Sequence, residues 1–366
     1  MKYYIIAGEA SGDMYGALLI RALRQRDQQA EFRYWGGDTM AAEAGGQPVR
    51  HIRDLAIMGF VEVAAHLRTV LGNISFCKND IAAYRPNVVI GIDYPGFNLR
   101  IEQWAKEHRF CTVHYISPNL WAWKKGRIKQ MRRSLDRLCY ILPFEERFFA
   151  ENDMPQAVYV GHPLLDALSR SATTPPSSLP SIALLPGSRR QELKNNLPLM
   201  AALADKHPEY HFVVAGMSLL GKEIYERLLP HGCNVEVVYD QTHSLLSSAY
   251  AAVVCSGTAT LETALFDVPQ VVCYRANAIS IAIAKAIVGH RINYISLVNL
   301  IADNPIVTEL IQEDFNLRRL ETEFAKITAD DANRKRMKGE YADMRKLLGD
   351  GGASQRTAEE IIALLG

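Results

Sequence analysis

The chain has 366 residues, 48% hydrophobic and 22% charged, with a formal net charge of +1. That length is more than one core usually fills, so two domains are expected, and the balanced composition excludes a disordered chain or a bulk polyelectrolyte that binds nucleic acid through net charge alone. Six scattered cysteines (Cys77, Cys111, Cys139, Cys233, Cys255, Cys273) argue for a reducing compartment. With no secretory leader ahead of the first strand and no apolar run long enough to span a bilayer, export is not expected and any membrane contact is expected to be peripheral.

The first predicted element is a strand, Tyr3–Ala7, which runs into Gly8-Glu9-Ala10-Ser11-Gly12-Asp13 and a helical pattern. The glycines at positions 8, 12 and 16 match neither the dinucleotide fingerprint nor the Walker lysine motif, so no redox cofactor or ATP is expected. Two readings of this loop stand: a tight turn N-capped by Ser11 or Asp13, or a cleft floor carrying Glu9 and Ser11 beside helix N–H groups that attract an anion. A second strand, Glu31–Trp35, follows. The stretch Leu55 to Leu71 is then more apolar than one buried stripe requires, which fits either core burial or lipid contact. The strand Val88–Ile92 ends at Asp93, at the edge where open α/β sheets bind ligands. Flanked by Ile92 and Pro95, that carboxylate suits a general base, and equally a turn former or N-cap.

After the strand Thr112–Ile116, the segment Trp121 to Arg133 sets six cations beside two tryptophans. It fits RNA contact, an anionic membrane surface, or a solvated helix face. The strand Arg137–Leu142 closes the first half, and Ser169 to Ser181, rich in Ser, Thr and Pro, reads as a linker. In the second half, Ile182–Leu185 leads into Pro186-Gly187-Ser188-Arg189, a glycine turn with a guanidinium whose planar fork suits a diphosphate. Strands Tyr210–Ala215, Val235–Tyr239 and Ala251–Cys255 follow. The last opens into Ser256-Gly257-Thr258, a second phosphate cradle, with Glu262 one turn into the helix as an acceptor for ribose hydroxyls. After the strand Gln270–Tyr274, the pattern beyond about residue 305 is helical only, ending in an amphipathic Ala353 to Leu365. No D-x-D motif, zinc-like histidine spacing or G-x-S-x-G elbow occurs, so neither a metal nor a cofactor is expected.

Strands alternating with helices, twice over, predict an α/β fold of two Rossmann-like domains with parallel sheets facing across a cleft. The expected boundaries are 1–168 for the first domain, 169–181 for the linker and 182–345 for the second domain. The segment 346–366 is a C-terminal helix of the kind that packs back on the first domain.

Taken in order, Gly8-Glu9-Ala10-Ser11-Gly12-Asp13, Met58-Gly59-Phe60-Val61-Glu62-Val63, Gly91-Ile92-Asp93-Tyr94-Pro95, Ser117-Pro118-Asn119-Leu120-Trp121-Ala122-Trp123, Leu142-Pro143-Phe144-Glu145, Leu185-Pro186-Gly187-Ser188-Arg189, Ser256-Gly257-Thr258-Ala259-Thr260-Leu261-Glu262 and Leu297-Val298-Asn299-Leu300 resemble the lipid-A-disaccharide synthase family over roughly residues 1 to 315. The resemblance implies a GT-B glycosyltransferase with inverting chemistry. Such an enzyme joins UDP-2,3-diacylglucosamine to 2,3-diacylglucosamine 1-phosphate, giving a β(1→6) disaccharide and UDP. It also implies work in lipid A biosynthesis of Gram-negative bacteria, in the cytoplasm at the inner face of the cytoplasmic membrane, with no nucleic-acid partner.

On this resemblance Asp93 corresponds to the base, with Glu9 as a secondary candidate. Ser11, Arg189, Ser256, Gly257, Thr258, Glu262 and Asn299 correspond to positions that bind the UDP-sugar. Acylated substrates make Met58, Phe60, Val61, Val63 and Leu67 the expected membrane or acyl contacts. Gly96 departs from the family pattern, which often has an acidic residue there. Competing readings are a peptidoglycan UDP-N-acetylglucosamine transferase, a UDP-sugar 2-epimerase, and a non-catalytic RNA-binding protein.

Overall fold

Apolar runs buried on both faces are what a helix-covered parallel sheet demands, and Tyr3 to Ala7 and Ile182 to Leu184 are wholly inaccessible to solvent. The structure, a computed structural model, describes residues 1–55, 67–118, 126–168, 179–230, 232–275 and 293–366. It divides into two units, Met1–Ser169 with Asp350–Gly366, and Arg170–Gly349.

In the first unit the strands are β1 (Lys2–Ala7), β2 (Glu31–Gly36), β3 (Arg50–His51), β4 (Val88–Ile92), β5 (Cys111–Tyr115), β6 (Arg137–Tyr140) and β7 (Ala157–Tyr159). They form one parallel sheet in the order β3-β2-β1-β4-β5-β6-β7. In the second unit β8 (Ser181–Leu185), β9 (His211–Gly216), β10 (Val235–Tyr239), β11 (Ala251–Cys255), β12 (Gln270–Tyr274) and β13 (Thr308–Ile311) form a parallel sheet in the order β10-β9-β8-β11-β12-β13. Within each unit the first strand lies between the second and the fourth. The direction of winding reverses there, which places the carboxyl edge beside β1 and β4, and beside β8 and β11, at the switch point where open α/β sheets bind ligands.

Every strand expected from the sequence is present, with ends within about two residues, the usual uncertainty of element boundaries. Three short strands were not expected. Of these, β13 corrects the expectation of helix alone after residue 305. It is a four-residue edge strand, too short to display an alternating pattern, and among the described residues it pairs with β12 alone.

The helix Ala10–Arg26 has Glu9 at its N-cap position, so neither Ser11 nor Asp13 is its N-cap. The buried Asp13 carboxylate instead accepts from the backbone N–H groups of Gly37 (2.6 Å), Thr39 (3.0 Å) and Met40 (3.1 Å), satisfying the start of the helix Asp38–Ala44. The last helix, Ala353–Leu365, belongs to the first unit and buries Ala353, Thr357, Ala358 and Ile361. Asp166 accepts from the N–H groups of Gly352 and Ser354, and Arg356 Nε donates to the Val160 carbonyl at 2.8 Å. Most of the expected linker, residues 169–178, lies outside the described residues. No described helix is long and apolar enough to cross a membrane.

Candidate functional site

The loops leaving β1 and β4 touch directly. A Cβ at Gly8 would stand 2.5 Å from Cγ of Tyr94, so the β1 loop can lie against that ring only because position 8 is glycine. Asp93 and Tyr94 both adopt left-handed backbone conformations, with φ of 45° and 48°. Two successive non-glycine residues in this region cost roughly 1–3 kcal/mol each and persist only where the surroundings enforce them. Here the Asp93 N–H donates to the Tyr115 carbonyl (2.9 Å). The buried Asn98 amide donates to the carbonyls of Asp93 (2.7 Å), Ile92 (3.3 Å) and Ile6 (3.3 Å), tying the β1 and β4 ends together. Burial, and then the Glu9 charge, raise the Tyr94 phenol above its ordinary range. Glu9 is exposed while Asp93 and Ser11 are half-buried; Glu9 and Asp93 lie on the loops leaving β1 and β4, and Ser11 lies in the first turn of the helix Ala10–Arg26. Sequence reasoning missed Asn98, a polar residue within an otherwise amphipathic helix.

The remaining expected nucleotide contacts all fall in the second unit, apart from Ser11. Arg189 starts the helix Arg190–Ala204 with its side chain 60% exposed. The N–H groups expected to be open for an anion at this turn are already engaged. Glu192 Oε2 accepts from Ser188 N (2.9 Å) and Arg189 N (3.2 Å), and Glu192 Oε1 lies 3.5 Å from Arg189 Nη1. An internal carboxylate thus occupies the place assigned to phosphate. The signal was legible, since a glutamate three residues after a helix start is the reaching half of a capping box. Gly187, at φ 119°, is required because a Cβ there would overlap Glu192.

On the neighbouring strand end, Ser256 Oγ donates to the Ile295 carbonyl (2.8 Å), Gly257 has φ 153°, and Thr258 opens the helix Thr258–Leu265. Glu262 is 14% exposed, with Oε1 3.5 Å from His243 Nε2. The two strand ends share one electrostatic environment. Burial pushes the Cys255 thiol up to about 12, with the Glu192 carboxylate adding to the rise and Arg189 opposing it.

Asn299 is 1% exposed and its amide is committed within the fold: Nδ2 donates to the Val307 carbonyl (2.9 Å) and Glu309 Oε1 (3.0 Å), and Oδ1 accepts from Val307 N (3.0 Å). Its side chain braces the loop and is not presented to a ligand. Glu309, on the unexpected strand β13, also accepts from Ile295 N and Ser296 N at 2.9 Å, so it fixes the carbonyl that holds Ser256.

Met58, Phe60, Val61 and Val63 lie outside the described residues, and Leu67 opens the helix Leu67–Tyr84. That helix exposes Leu71 (53%) and Phe76 (39%), whereas Leu55 is in the core. Residues 121–125 of the cationic segment are likewise outside. The following helix, Arg127–Ser134, buries Ile128 and Met131 and leaves Lys129, Arg132 and Arg133 exposed, as a solvated face does.

Beyond β6, Glu145 is 1% exposed and burial raises its carboxyl to about 8, despite a hydrogen bond from Leu142 N (3.2 Å). The folded pKa exceeds the ordinary 4.5, so the contribution to stability is complete below pH 4.5 and declines as pH rises through about 8. The range is on the order of a few kcal/mol. Glu145→Gln, neutral at every pH, is expected to abolish this decline: between pH 6 and pH 9 the urea midpoint of the native protein falls further than that of the variant. Parallel falls would mean that Glu145 is ionised throughout.

A sequence profile of the family described as lipid-A-disaccharide synthetase matches residues 3–364. The lipid-A-disaccharide synthase of Chromohalobacter salexigens is 37% identical over 380 residues, covering 100% of this chain and 97% of that protein. That of Geobacter sulfurreducens is 32% identical, with the same coverage. Among solved structures, the UDP-GlcNAc 2-epimerase from Neisseria meningitidis bound to UDP-GlcNAc superposes with a TM-score of 0.68 at 14% identity, covering 99% of this chain and 100% of that one. CalG4, the calicheamicin glycosyltransferase, superposes at 0.60 and 18% identity, covering 100% and 98%. These structural likenesses share the fold.

Proposed function

The chain belongs to the lipid-A-disaccharide synthetase family, and from that premise we propose how its two crevices divide the reaction of a glycosyltransferase in lipid A disaccharide synthesis. The donor is UDP-2,3-diacylglucosamine and the acceptor 2,3-diacylglucosamine 1-phosphate. The observation that carries the division is the strained carboxylate Asp93 at the winding reversal of the first unit, while the exposed cation Arg189 stands at that of the second. In the step itself the acceptor 6-hydroxyl oxygen bonds to the anomeric carbon as the bond from that carbon to the UDP oxygen breaks. The hydroxyl proton passes to Asp93, and the electron pair of the broken bond leaves on UDP. Attack opposite the leaving group inverts the centre. Arg189, Ser256, Gly257 and Thr258 receive the diphosphate and Glu262 the ribose, with Ser11 a contact from the first unit. Asn299 serves the same site by holding its loop. Glu9 is the reserve base.

Acyl tails keep both sugars in a bilayer, so the working location is the cytoplasmic membrane surface, reached peripherally. The apolar composition of residues 58–71 supports that docking role. Metal independence is part of the proposal: phosphate charge is met by Arg189 and the start of the helix Thr258–Leu265.

The test supplies both diacylated sugars in mixed micelles without added metal and measures UDP and disaccharide together. Stoichiometric formation of both is expected, with EDTA without effect. UDP release without disaccharide would favour the hydrolytic, epimerase-like reading, and loss of product with EDTA would remove the metal-free step.

A further inference from the structure

Beneath the Asp93 turn lies a pair of ionisable groups that the reaction above does not use. Glu102, on the helix Pro95–Glu107, and His114, on β5, are both 0% exposed, and Glu102 Oε1 lies 2.7 Å from His114 Nδ1. A buried ion pair is weak as a stabilising device, because desolvation offsets its attraction. This one also leaves Glu102 Oε2 and His114 Nε2 without hydrogen-bond partners among the described residues. The chain nevertheless makes room for it. Gly91 interrupts the buried strand β4, where glycine packs poorly, and a Cβ there would overlap Glu102 Oε1 and stand 2.9 Å from Asn98 Cβ. A glycine at this point lets two polar side chains of one helix pass under the strand. One of them, Asn98, fixes the backbone of Asp93.

We propose that Glu102 and His114 are positioning residues for Asp93, an anchored anion and cation that hold its carboxylate ionised and oriented without touching substrate. The inference rests on Asp93 being the base. Burial alone would lower the His114 imidazole pKa, but the Glu102 carboxylate, and after it the charge of Asp93, outweigh burial and hold it above the ordinary histidine value. The residues paired with His114 across the sheet, Gly91 on β4 and Leu138 on β6, carry no charge. The charges acting on the imidazole are therefore Glu102 from the helix and Asp93 from the end of β4. The imidazolium favours the anionic form of Asp93, which is the form that accepts a proton.

The test is a double-mutant cycle on the full chain. Glu102→Gln keeps the hydrogen bond to His114 and removes the charge. It is expected to lower kcat by about tenfold or more, the effect of one pKa unit, with KM and UDP affinity unchanged and the acid limb of the kcat profile moved to higher pH, so that activity recovers as pH rises. In an Asp93→Asn background the same change is expected to do nothing further. Equal losses in both backgrounds would overturn the positioning role while leaving Asp93 as base. Near-normal turnover of Asp93→Asn alone would overturn the base assignment itself. A measurement on the unmodified protein stands apart from folding of the variants: imidazole NMR is expected to show His114 titrating above the ordinary histidine range, and a titration at or below that range would overturn the proposal.

Discussion

Asp93→Asn lowers turnover by at least about 100-fold, the low end of what a general base contributes, while UDP binds with near-normal affinity. The reason lies in what the step lacks without a base. A sugar hydroxyl is a poor nucleophile until its proton is leaving, and the group that takes it must stand on the face of the acceptor remote from UDP. Asparagine keeps the size of the side chain and also tolerates the left-handed backbone at φ 45°, so the turn and its Asn98 hydrogen bonds survive. What disappears is the anion. Single-turnover disaccharide formation measures the chemical step, and calorimetric titration with UDP verifies that the second unit is intact. Turnover within a few-fold of the native enzyme, on the order of less than 1 kcal/mol in the barrier, would remove Asp93 from this role and move attention to Glu9.

Arg189→Ala is expected to reduce turnover by a factor on the order of 100 to 1000, the usual loss when a donor to developing transition-state charge is removed. Charge grows on the diphosphate as the glycosidic bond stretches, so this guanidinium contributes more in the transition state than in the ground state. The loss then falls mainly on kcat. Arg189→Lys recovers only part of it, because a point charge on a flexible stem cannot make the two parallel hydrogen bonds of the fork. The position of Glu192 sharpens this expectation. Arg189 Nη1 stands 3.5 Å from Glu192 Oε1, so the guanidinium is held at the turn by a carboxylate that a diphosphate can replace as its anionic partner. Steady-state kinetics beside UDP affinity separate the outcomes. A loss confined to UDP affinity, with kcat unchanged, would show that Arg189 binds ground state and transition state equally.

The sheets were legible because their central strands are continuous apolar runs, which a parallel sheet buried on both faces requires. The edge strands β3, β7 and β13 were not, since they are two to four residues long and carry no period. At the site, a carboxylate following a buried strand was visible at Asp93, and the glycine turns were visible at Gly8 and Gly187. Their occupants were harder. Asp13 reads locally as a cap of its own helix, yet its oxygens face the N–H groups of Gly37, Thr39 and Met40. Local spacing cannot reveal a partner more than twenty residues away. Asn98, Glu102 and His114 are hidden for a related reason: each is a polar residue in an amphipathic or apolar pattern, and its meaning comes from contacts between β4, β5 and the helix Pro95–Glu107 that no local period displays. Asn299 shows the converse. The family resemblance singles it out, and the fold shows an amide used up in bracing.

Ala353–Leu365, packed within the first unit, sets an order of events during synthesis. The ribosome delivers Asp350–Gly366 only after the whole of the second unit, so the first unit is completed once the second has been made. Until then the surfaces that receive Ala353, Ala358 and Ile361 stay bare, and Asp166 lacks the backbone N–H groups of Gly352 and Ser354. The nested unit is fully translated while its host is still missing a helix, which makes the nascent first unit the species most exposed to aggregation. A premature stop near residue 350 would therefore leave every candidate catalytic residue encoded and still deny the unit that carries Asp93 its last buried helix.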